Sequence, residues 1–75
     1  MKLPHLSGPE LVRILRKAGF VVISQRGSHV KMRKTLAHEK ITTIIPNHKE
    51  VDRGTLVEII RQCKMSREEF MKLVK

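Results

Sequence analysis

Apolar residues follow two different rhythms along this chain. Leu11, Ile14, Leu15 and Ala18 recur at i, i+3, i+4 and i+7, the period of one helix face. Ser7 precedes them as a capping hydroxyl, Pro9 falls in the first turn, and Glu10 completes a capping box. Gly19 then stops the helix, with Phe20 folding back onto Leu15. The spacing predicts a helix over residues 8–18, with Arg13, Arg16 and Lys17 off the buried face.

Beyond it the period shortens to two. Phe20 to Gln25 is β-branched and aromatic, as a strand would be, and Arg26-Gly27-Ser28 supplies a tight turn. Ser28 to Lys34 alternates, with Val30 and Met32 on one face and His29, Lys31 and Arg33 on the other. After a loop at Thr35 to Glu39, Lys40 to Ile45 reads as a third strand ended by Pro46. Such short connections predict an antiparallel meander.

The helical rhythm returns at Leu56, Ile59, Ile60 and Cys63. Asp52 stands as N-cap and Val51 pairs with Leu56 as a hydrophobic staple, predicting a helix over residues 53–63. Ser66 with Glu69, and Met65 with Phe70, repeat both signatures. A last short helix over 67–74 follows, burying Phe70, Leu73 and Val74. The predicted architecture is α+β, in the order α-β-β-β-α-α, with both main helices on one face of the sheet. No repeat, linker or low-complexity tract interrupts it, so residues 1–75 are expected to form a single domain.

Composition narrows the setting. The apolar fraction of 40% suffices for a core in 75 residues. A single Cys permits no internal disulfide, which favours the reducing cytoplasm. No apolar run approaches the ~20 residues of a membrane span, and Met1-Lys2-Leu3-Pro4 lacks a signal-peptide core. Sixteen Lys and Arg against seven Asp and Glu leave a net charge of +9. That excess calls for a polyanionic partner, nucleic acid foremost. Two Phe, with no Tyr or Trp, argue against platforms that stack bases on several rings. Contact through the nucleic-acid backbone, with weak sequence preference, is expected instead.

Chemistry is confined to few residues. There is no Gly-rich phosphate loop, no zinc-ligand spacing and no carboxylate pair suited to a two-metal nuclease, so neither a metal nor a cofactor is expected. Glu68 and Glu69 are neighbours that a helix turns apart, and Asp52 is explained as a cap. His29 is the candidate that stands out, opening a strand face with Lys31 and Arg33 at i+2 and i+4. An imidazole there can take a proton from a ribose 2′-OH or give one to a leaving 5′-oxygen. Cations beside it can stabilise a phosphorane. The same spacing also fits a surface His that binds phosphate without chemistry. His48 is a possible auxiliary, if register brings the exit of the third strand to the start of the second; otherwise it is a loop His. Ser28 faces away from His29 and reads as a turn hydroxyl. Cys63 reads as core. His5 and His38 are assigned no role.

Four elements in order, Leu15-x-x-Ala18-Gly19-Phe20, Gly27-Ser28-His29, Ile45-Pro46-Asn47-His48 and Gly54-Thr55-Leu56 with Ile59, resemble the HicA toxin family of prokaryotic toxin–antitoxin pairs. The resemblance covers about residues 5–70. It implies a double-stranded-RNA-binding-domain-like fold, α-β-β-β-α, and an mRNA interferase that cuts RNA without the ribosome. The family's active His falls on His29. The implied partner is a HicB antitoxin, which blocks the active face and often also binds operator DNA. Messenger RNA would then lie across Lys31 and Arg33, with Arg26 and Ser28 at the turn also in contact. The competing reading is a non-catalytic double-stranded-RNA-binding module. Such modules place lysines at the start of the second helix, where this chain has Asp52-Arg53-Gly54-Thr55 with one cation.

Overall fold

Capping chemistry sets the ends of the helices. The computed structural model describes residues 3–74. Helix α1 spans Gly8–Lys17, and Ser7 and Glu10 exchange hydrogen bonds across its first turn, 3.0 and 3.2 Å long. It ends in a Schellman motif: Gly19 N–H donates to Arg16 O and Phe20 N–H to Leu15 O. Phe20 therefore belongs to the helix stop and the core rather than to the strand that the β-branched run predicts. Helix α2, Arg53–Gln62, is capped by Asp52, which accepts from Thr55 N–H. Helix α3, Arg67–Val74, begins with the Ser66–Glu69 box.

Strands β1 (Val21–Arg26), β2 (His29–Thr35) and β3 (Lys40–Pro46) form one antiparallel sheet in the order β1-β2-β3. The β1–β2 connection has only Gly27 and Ser28 between the strands, and Gly27 takes φ +53°. Two-residue hairpin turns need positive φ at this position, which glycine adopts without a Cβ clash. Between Val22 and Ser24 the register shifts, so Ile23 is an extra residue in β1.

The sheet has one covered and one open face. Val30, Met32, Ile41, Thr43 and Ile45 are buried on the first, against Leu11, Ile14 and Leu15 of α1 and Leu56, Ile59 and Ile60 of α2. Thr43, the buried polar residue of this core, donates its hydroxyl to Gln62 Oε1 at 2.8 Å, tying β3 to the end of α2. Phe70 of α3 is fully buried in the same core, and Lys17 Nζ donates to Leu73 O at 3.2 Å. The lead-in that precedes α1 is also built in. Leu6 is buried and bridges Val51, sealing the sheet beside α2. Cys63 is buried as expected, and desolvation pushes its thiol up to about 11. The α+β architecture with helices on one face is the one the periodicity predicts.

Candidate functional site

Side chains on the open face fall into rows fixed by strand register. The end row is Arg26, His29 and Pro46; the next is Ser24, Lys31 and Ile44; the third is Val21, Arg33 and Thr42. Strands lie about 5 Å apart and rows on one face about 7 Å apart. His29 is exposed, with Arg26 directly across on β1 and Pro46 directly across on β3. Lys31 and Arg33 are half-buried. Arg33 Nε donates to Thr42 Oγ1 at 3.1 Å, tying its guanidinium to the neighbouring strand β3.

Arg26 reaches this face because of the bulge. Strict alternation from the half-buried, helix-facing Val22 would turn Ser24 and Arg26 toward the helices. The extra residue at Ile23 reverses that, and Arg26 pairs with His29. The sequence names Arg26 as a turn cation but carries no signal for the reversal.

The exit of β3 does lie beside the start of β2. Pro46 pairs with His29, Asn47 N–H donates to Ser28 O at 2.6 Å, and Gly8 N–H donates to His48 O at 2.8 Å. The loop carrying His48 is thus held from two sides, and its imidazole is exposed two residues beyond the position opposite His29. Gly8 is buried here. A Cβ on it would lie 2.4 Å from Pro46 O and 2.7 Å from Asn47 Cα. Ser28 is exposed in the turn, and its carbonyl anchors Asn47.

No carboxylate lies in these rows. Glu10, Asp52 and Glu69 cap helices, and hydrogen bonds from Ser7, Thr55 and Ser66 hold each below its ordinary range. Glu58 pairs with Arg61, Glu39 with Lys64 at 2.5 Å, and Glu50 with His5 at 3.8 Å. Glu68 sits in the first turn of α3. Among the described residues, the open face therefore carries cations around a histidine with no carboxylate in the same rows. Among the described residues, no three His, Cys, Asp or Glu are grouped to hold a metal ion, and no helix is long and apolar enough to cross a membrane.

The family model described as "HicA toxin of bacterial toxin-antitoxin" matches residues 8–65. The chain belongs to the HicA toxin family. It is thereby a toxin of the toxin–antitoxin type, in a family of ribonucleases held in check by antitoxin partners. The HicA match runs from Gly8 through His29 and His48 and stops before α3. No curated protein and no solved structure matches the chain.

Proposed function

We propose that this HicA-family toxin is a ribosome-independent endoribonuclease that cleaves mRNA in the cytoplasm by transesterification at His29. The observation that carries this reading is the end row of the open face. It sets an exposed imidazole between Arg26 and Pro46 on a surface without carboxylates. His29 removes the 2′-OH proton, and the 2′-oxygen attacks the adjacent phosphorus. The P–O5′ bond breaks, leaving a 2′,3′-cyclic phosphate and a 5′-oxygen that takes up a proton. His48, held by the Gly8 and Asn47 contacts, serves as the auxiliary group at that second transfer. Arg26 stabilises the phosphorane charge, while Lys31, Arg33 and the Ser28 turn hold the flanking backbone. A HicB-type antitoxin with an acidic surface covers the same rows.

The test is cleavage of an mRNA fragment in chelator by the purified wild-type chain and by His29→Ala. Cleavage to cyclic-phosphate ends is expected, falling about 10²–10⁴-fold in the variant, the usual worth of a positioned acid–base group. Undiminished cleavage by His29→Ala removes His29 from the chemistry. Duplex-RNA binding by a wild-type chain that cleaves no RNA supports the non-catalytic module instead.

A further inference from the structure

Directly beneath the His29 row, on the helix side of the sheet, α1 and the strand ends flank an open groove of about 500 Å³. Its floor is Val12, Val22 and Val30, the last buried and the others half-buried. Its rim carries Arg13, Arg16, Gln25 and Asn47, all exposed, and no carboxylate lines it. Gln25 pairs with Val30, the row next to Arg26 and His29, so the two rows present their side chains on opposite faces. Asn47 immediately follows Pro46, the residue opposite His29. The groove mouth thus opens at the same end of the sheet as the imidazole, one residue further round the strands.

We propose that this groove is a nucleobase subsite, taking one base of the RNA next to the phosphate at His29. The inference rests on the ribonuclease reading and adds a specificity element to it. Each part of the groove answers a part of a nucleotide. The valine floor gives the ring an apolar surface that displaces water. Gln25 and Asn47 each present an amide donor and acceptor side by side, the pattern complementary to the N6/N7 edge of adenine. Arg13 and Arg16, three residues apart on one helix face, meet the phosphate of the same nucleotide. Charge complementarity selects a polyanion as the occupant. Scarcity of aromatics predicts weak sequence preference, and the groove adds a single read position to that background.

The experiment uses the full-length chain with His29→Ala, so that binding is read without cleavage. Short single-stranded RNAs carrying A, G, C, U or an abasic residue at one position are titrated by fluorescence anisotropy. Adenine is expected to bind best and the abasic RNA worst, with about tenfold between them, in the range of one well-made base contact. Gln25→Ala with Asn47→Ala should flatten that ranking at unchanged melting temperature. Arg13→Ala with Arg16→Ala should weaken all five RNAs alike and reduce the salt slope. An identical affinity for all five overturns the subsite. So does a ranking that survives the amide variant, or an amide variant that loosens only the antitoxin complex. Cleavage by the wild-type chain, followed in parallel, separates the two readings. Cleavage without base ranking removes the subsite alone, and ranking without cleavage removes the ribonuclease reading alone.

Discussion

Gly8 shows how much of a site can depend on a missing side chain. It lies beneath the β3 exit, where a Cβ would fall 2.4 Å from one backbone atom and 2.7 Å from another. Neither neighbour is a flexible tip that could swing aside, so Gly8→Ala must push the Pro46–His48 segment off the end of α1. Overpacking of this kind costs about 1–3 kcal/mol. The displaced segment includes the residue opposite His29. Urea unfolding should show the lost stability. Single-turnover RNA cleavage should fall more steeply than RNA binding, because Lys31 and Arg33 stand on rows that do not touch the segment. An equal fall in both would separate the segment from the chemistry. From sequence, Gly8 reads only as the first residue of a helix. Its contact partners lie far along the chain, and local spacing carries no trace of them. His29 and its two cations were legible because alternation within one strand suffices to place them.

Among the elements, helix ends were the most readable and β1 the least. Capping boxes are short-range hydrogen-bond patterns, so Ser7 with Glu10 and Ser66 with Glu69 announce themselves. The β1 bulge is a property of two strands together, and no composition cue marks Ile23 as the extra residue. The end of α2 offers a direct test of element chemistry. Lys64 occupies the left-handed position after the helix at φ +57°, closing it through Met65 N–H to Ile60 O at 3.4 Å. A side chain pays about 1–2 kcal/mol for that conformation, which glycine avoids. Lys64→Ala and Lys64→Gly both lose the exposed ion pair to Glu39. Lys64→Gly should therefore be the more stable of the two by about 1 kcal/mol in chemical denaturation. Equal stabilities would show that the helix end relaxes out of the left-handed region.

At the scale of the molecule, charge and capping together predict its response to acid. Glu10, Asp52 and Glu69 have folded pKa values below their ordinary values of 4.5, 3.8 and 4.5. A carboxyl depressed by folding stabilises the native state above its unfolded pKa, and that contribution disappears as pH falls through the folded value. Stability should thus hold from neutrality to about pH 4.5 and decline below it, as the caps protonate and the +9 chain gains further positive charge. Thermal melts across pH 7 to 3 measure this, and a flat profile would remove the caps from the balance. The core extends beyond the family match, since Phe70 of α3 is fully buried outside residues 8–65. The last staple, Met65 with Phe70, had already pointed there.

The placement of the carboxylates has a consequence for control. Glu10, Asp52 and Glu69 cap helices, Glu39 and Glu58 pair with Lys64 and Arg61, Glu50 lies beside His5, and Glu68 sits in the first turn of α3, all away from the open face. Among the described residues, no carboxylate stands in the rows that hold His29, Lys31 and Arg33. In the function proposed above, cover for that face comes from a partner and not from this chain's own acidic side chains.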